Sequence, residues 1–129
     1  MGALVENIEG RPYIRSYGPG RFTVGDRMVE GSVLIDGLNS FLWPVETLAG
    51  ASVASMQAAV RAVGAERLSK LELLLLGCGP KLLPPPPGLR ADLKALGIAL
   101  EVLDTGAACR TFNVLLMEDR RVGAALIAL

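Results

Sequence analysis

From Val53 to the C-terminus the sequence alternates between two hydrophobic periods, and this alternation limits the available folds more than any other feature. Met56, Ala59, Val60 and Val63 recur at the spacing of one helical face, with Gly64 as a terminator. Leu71–Leu76, broken only by Glu72, then reads as a fully buried strand ending in Gly77-Cys78-Gly79-Pro80. A rigid spacer, Pro84–Pro87, leads to a short helix opened by Pro87 or Gly88. Leu89, Leu93 and Leu96 share its apolar face and Gly97 ends it. Ile98–Leu103 is a second buried strand. Asp104 or Thr105 caps a third helix over about Gly106–Glu118, apolar almost all round, and Val122–Leu129 is a last strand. Strands separated by helices of this length pair in parallel through right-handed crossovers.

The first third has a different rhythm. Pro12–Tyr17, Arg21–Val24, Arg27–Val29 and Ser32–Ile35 alternate with turn signals at Gly18-Pro19-Gly20, Gly25-Asp26 and Gly31. Phe41-Leu42-Trp43 is a short apolar patch stopped by Pro44. This part reads as a β-meander that packs on the parallel sheet or extends its edge. The expected fold is therefore a single α/β domain over residues 1–129. It has three layers, with a central mixed, largely parallel sheet and a β-rich N-terminal meander packed on it. A chain of 129 residues can bury a core; at 51% hydrophobic but only 5% aromatic residues, that core is aliphatic.

Several function classes close at once. Thirteen basic and thirteen acidic residues cancel, and Arg120-Arg121 is the longest basic run, so a counterion-releasing nucleic-acid surface is not expected. No aliphatic run comes near the ~20 residues of a membrane span, and no signal or presequence pattern opens the chain. The chain has no histidine, which removes Ser-His-Asp and Cys-His mechanisms and most zinc and iron sites. Cys78 and Cys109 stand in no metal spacing, and their usage fits a reducing cytoplasm rather than a disulfide. Position 82 is Leu where a dinucleotide fingerprint needs Gly, and there is no Walker motif. No catalytic residue, metal site or cofactor is expected.

What remains is the crevice at the ends of the parallel strands, the usual ligand position in an open α/β sheet. Gly77, Cys78 and Gly79 follow one strand and Asp104-Thr105-Gly106 the next. A helix N-terminus there offers free N–H groups, and Arg110 and Asn113 lie further along that helix. Gly77, Cys78, Gly79, Thr105, Arg110 and Asn113 are thus the candidate ligand-binding residues, for a polar or anionic molecule. The same residues have structural readings as turn glycines, a cap and an ion-pair partner. Trp43 fits either a partner hot spot or the core.

Tyr17-Gly18-Pro19-Gly20-x-Phe22-x-Val24, Gly31-Ser32-Val33-Leu34, Trp43 and Leu74-Leu75-Leu76-Gly77-Cys78-Gly79 occur in an order that resembles the Mth-type domain family of unknown function. So does Asp104-Thr105-x-Ala107-Ala108-Cys109-Arg110-Thr111-x-Asn113-Val114-Leu115, followed by Glu118 and the last strand. Eukaryotic members include the third mitochondrial complex I assembly factor and an adipogenesis-associated protein. The chain departs from the family's usual residues with Cys78 for Thr, Phe112 for Tyr and Asp119 for Gly. The resemblance implies a three-layer α/β fold and no established reaction. It points to a protein-binding or assembly-assisting module in the cytoplasm, with an unknown protein partner or self-association. A small-ligand binder or enzyme using the crevice is the alternative.

Overall fold

A computed structural model describes residues 11–36, 39–62 and 70–129. Its elements, in order, are β1 (Ile14–Gly18), β2 (Arg21–Val24), β3 (Arg27–Glu30), β4 (Val33–Ile35), β5 (Ser40–Leu42), α1 (Val53–Arg61), β6 (Leu73–Gly77), α2 (Leu89–Ala95), β7 (Ala99–Leu103), α3 (Thr105–Met117) and β8 (Val122–Leu126). A five-stranded sheet has the order β5-β4-β8-β6-β7. β6 pairs in parallel with β7 and β8, as the alternation predicts, while β4 runs antiparallel to both β8 and β5. The sheet is mixed, and its parallel part is the three strands that follow helices.

The N-terminal strands do not form one meander. β1, β2 and β3 make a separate antiparallel sheet, and β4 and β5 leave it to extend the edge of the main one. Gly31, with φ +89, sits at the parting. Both roles foreseen for this region are thus filled, by different strands.

Each strand of the main sheet sends alternate residues to opposite faces, as a pleat requires. Leu34, Leu74, Leu76, Leu100, Ala125 and Ile127 meet α1 and α2 through Met56, Val60, Leu89 and Leu93. Val33, Ile35, Leu75, Val122, Ala124 and Leu126 meet α3 and the small sheet through Phe112, Cys109, Leu116, Ile14 and Phe22. Three layers result, with the sheet buried on both sides. That double burial is why β6 reads as a run of leucines rather than an alternation.

Local chemistry sets the helix ends. The Ser52 and Ser55 side chains cap each other's backbone N–H at the start of α1, and Ser55 Oγ also accepts the Trp43 indole N–H at 3.0 Å. Trp43, 1% exposed, is therefore a core residue. Val63, expected on the same helical face, and the expected terminator Gly64 lie outside the described residues. α2 stops at Ala95, so Leu96 is past the last helical residue and is 51% exposed instead of sharing the face of Leu89 and Leu93. α3 is less uniformly buried than its composition suggests, since Val114 and Met117 face solvent. It ends in a Schellman turn: Arg120 N–H reaches Leu115 C=O at 3.1 Å and Asp119 N–H reaches Leu116 C=O at 3.1 Å, with Asp119 at φ 59. That left-handed position is one that glycine would hold without strain. β8 ends at Leu126, three residues earlier than expected, and the chain beyond it bonds sideways through Ala128 N–H to Ser32 Oγ and Leu129 C=O to Gly20 N–H.

Gly123 has no room for a side chain: a Cβ there would lie 2.7 Å from the Ile35 carbonyl oxygen and 2.6 Å from Leu71 Cδ1. Gly123→Ala is expected to lower unfolding stability by roughly 1–3 kcal/mol, the usual cost of overpacking a core. A shift of the urea midpoint at unchanged m-value would measure it. An unshifted midpoint would mean that β4 and β8 are not packed this closely.

Candidate functional site

The two segments foreseen at the strand ends do come together, but their polar groups are turned on each other. Gly77 ends β6 against the start of α3. A Cβ at Gly77 would stand 3.0 Å from Thr105 Cα and 2.9 Å from Leu126 Cδ2, so glycine here permits helix and strand to touch. Gly79, at φ +110, then turns the chain in a conformation that other residues rarely adopt. Thr105 is fully buried; its hydroxyl accepts the Gly79 N–H at 2.9 Å and donates to the Ile127 C=O at 2.9 Å, while its own N–H bonds Gly79 C=O at 2.8 Å. Asp104 Oδ1 caps α3 by accepting the Ala107 N–H at 2.9 Å.

Cys78 is also engaged. Its N–H bonds Leu103 C=O at 2.9 Å, its thiol donates to Lys81 C=O at 3.1 Å, and its sulfur accepts the Leu83 N–H at 3.2 Å. The thiol shapes the loop that carries Leu82 and Leu83. Cys109 is buried in the α3 layer, and desolvation pushes its thiol up to about 12, so it is a packed hydrophobe rather than a nucleophile. Both cysteines are free.

Arg110 and Asn113 point to the small sheet instead of the glycine loop. The Asn113 amide, 4% exposed, accepts the Ile14 N–H and donates to the Ile14 C=O, both at 2.8 Å. It acts as a strand neighbour for β1 just where the β1–β2 register slips between Ile14 and Ser16. Arg110 is exposed, and its guanidinium donates to the Tyr17 hydroxyl at 2.9 Å. Gly106 lies beneath this pair, where a Cβ would come within 2.9 Å of the Tyr17 oxygen. Tyr17 and Gly106 were not among the candidates; their presence in the Tyr17-Gly18-Pro19-Gly20 and Asp104-Thr105-Gly106 segments was the available signal.

Sequence reasoning also passed over the outer edge of β7. Two grooves run along it, meeting at Arg90 and Leu100. One, of about 430 Å³, is lined by Glu72, Lys94, Gly97, Ile98 and Ala99. The other, of about 510 Å³, lies between Val102 and the loop Leu82-Leu83-Pro84-Pro85. Leu82 is 66% and Leu83 47% exposed. Two adjacent leucines before four prolines were the overlooked sign. Glu72 is held below its usual carboxylate range by a hydrogen bond from Arg120 at 2.7 Å, so its charge is already answered. Among the described residues no group of acidic or sulfur side chains could hold a metal ion, and no helix is long and apolar enough to cross a membrane.

The protein family of unknown function DUF498/DUF598 matches residues 14–127. An uncharacterized protein from Rhodobacter capsulatus is 37% identical over 115 residues, covering 88% of this chain and 82% of that one. The NADH dehydrogenase (ubiquinone) 1 alpha subcomplex assembly factor 3 of Danio rerio is 33% identical over 114 residues; the match spans 88% of this chain but 63% of the relative. A Mth938-like domain from Bordetella pertussis, solved by NMR, superposes with a TM-score of 0.76 at 25% identity, covering 99% of this chain and 92% of that one.

Two predictions follow from the bonding at α3. Asn113→Ala would leave two buried backbone groups of Ile14 unpaired and is expected to cost roughly 2–4 kcal/mol, whereas exposed Arg110→Ala should stay within about 0.5 kcal/mol. Equal effects in urea unfolding would show that Asn113 does not hold β1. Cys109 sets an alkaline limit: above the ~8.5 of a free thiol the unfolded chain loses a proton that the native one keeps. Stability therefore falls by up to about 1.4 kcal/mol per pH unit until the native thiol ionises. Urea midpoints between pH 8 and 11 should decline less steeply for Cys109→Ala than for the parent chain.

Proposed function

The chain belongs to the DUF498/DUF598 family, and from that premise we propose that it is a protein-binding, assembly-assisting module, one domain working in the cytoplasm without a cofactor. The observation that carries this reading is the apolar shelf Leu82-Leu83-Pro84-Pro85, exposed beside the outer edge of β7. Solvent-facing leucines held in place by the Cys78 sulfur contribute nothing to the core, and a fixed apolar surface with a polar margin is what a partner's hot spot uses. The naming of several relatives as assembly factors supports it, as does the internal use of the Thr105 and Asn113 side chains.

A second reading has one specific observation in its favour. Arg110 keeps an exposed guanidinium beside the Tyr17 hydroxyl near the start of α3, a pair that suits a small carboxylate or phosphate.

Affinity capture of tagged parent chain from native lysate, with mass-spectrometric identification, tests the first reading. The expected result is a partner recovered in near-stoichiometric amount and lost from the double variant Leu82→Asp, Leu83→Asp, whose melting temperature stays within about 3 °C of the parent's. Recovery of no reproducible partner overturns it. The second reading expects phosphate or small carboxylates to raise the melting temperature of the parent chain but not of Arg110→Ala.

A further inference from the structure

The site on β7 is more specific than an apolar shelf, because the strand's outward backbone groups lie between the two grooves. Ala99 N–H bonds Glu72 C=O at 3.1 Å and Leu103 C=O accepts the Cys78 N–H at 2.9 Å, so residues 99, 101 and 103 turn their backbone toward β6. Leu100 and Val102 must then turn theirs away from it. Among these outward groups Leu100 C=O is taken, by Arg90 Nη1 at 2.6 Å. Leu100 N–H and both groups of Val102 have no protein partner among the described residues. Arg90 reaches the strand at its second residue, Leu100, which is 5% exposed.

We propose that this edge accepts one extended segment of a different protein as a sixth strand, with Arg90 as a displaceable latch and an acidic side chain on the incoming segment as its new partner. The inference rests on the protein-binding reading and names the mode of binding. Strand addition satisfies outward N–H and C=O groups that water otherwise serves. Side chains on the α2 face of the added strand would meet two different surfaces. Near Ala99 they meet Arg90 and Lys94, one turn apart on α2, with Glu72 already bound to Arg120. Near Val102 they meet Leu82 and Leu83. The complementary segment therefore carries a carboxylate and, two residues along, an aliphatic side chain. A second copy of this chain fits badly: an antiparallel β7–β7 pair about a twofold axis keeps α2 of both copies on one face and sets Arg90 and Lys94 against their equivalents.

Titration of the 15N-labelled full chain with an eight-residue peptide tests this, the peptide carrying aspartate and valine alternately on one face and threonine on the other. Saturating peptide is expected to slow amide exchange at Leu100 and Val102 at least tenfold, leaving Glu101 unchanged, and to move the Arg90 side-chain resonance. Replacing aspartate by lysine should weaken binding at least fivefold, and N-methylation of the amides on one peptide edge should abolish it. Unchanged exchange at Leu100 and Val102 with millimolar peptide, or equal binding of the N-methylated peptide, overturns the inference. The captured partner separates this from the broader reading. If Val102→Pro, which removes an outward N–H and no β6–β7 bond, melts like the parent and still captures that partner, strand addition is wrong while protein binding stands.

Discussion

The Thr105 hydroxyl is the contact on which the parallel half of this fold closes. One oxygen joins the loop after β6, through Gly79 N–H, to the chain leaving β8, through Ile127 C=O, at the first residue of α3. A serine could make the same two bonds, but threonine's methyl leaves fewer rotamers to choose from in a fully buried site. Gly77 is the counterpart of this arrangement. Only a residue without a Cβ lets Thr105 come so close to the end of β6. At these strand ends the Thr105 hydroxyl and N–H spend their hydrogen bonds on Gly79 and Ile127, which ties the loop, the helix and the last strand to one another.

The three crossover-linked strands were legible because each signal was local. Leucines run without alternation where both faces are covered, a cap residue precedes α3, and Gly77 marks where β6 stops. The N-terminal third was legible as strands but not as sheets. Nothing in the alternation of Val33-Leu34-Ile35 says that its partner is Ala124–Leu126 at the far end of the chain rather than β3 beside it. Leu96 shows the same limit on a small scale. Its helical spacing from Leu89 and Leu93 is sound only if the helix lasts to that residue, and α2 ends one residue before it.

The candidate residues illustrate why a motif cannot separate holding from binding. Thr105 and Asn113 have the chemistry of ligand contacts, and that same chemistry bonds strand ends and a β1 bulge. Which of the two a residue does depends on what lies a few ångströms away, and that comes from pairings distant in sequence. Gly77, Cys78, Gly79 and Thr105 converge; Arg110 and Asn113 diverge from them toward Tyr17 and Ile14. The exposed surface was hidden for the opposite reason. Leu82 and Leu83 resemble core residues in any hydropathy reading, yet they stand exposed on a loop that the Cys78 thiol bonds at Lys81 and Leu83.

The two edges of the main sheet make the last comparison. β5 spans only three residues, and Arg27 reaches over to the carbonyl of its Ser40. A short strand with a charged side chain across it is a poor template for another chain. β7 spans five residues, carries an arginine at a single carbonyl, and keeps a groove open on each side of that contact. If Arg90 served only to prevent pairing, its guanidinium could lie anywhere along the strand and the flanking grooves could be filled at no cost to the core. Leucines exposed on one side and a second cation, Lys94, on the other are instead the two surfaces that an incoming strand would touch once the arginine moves.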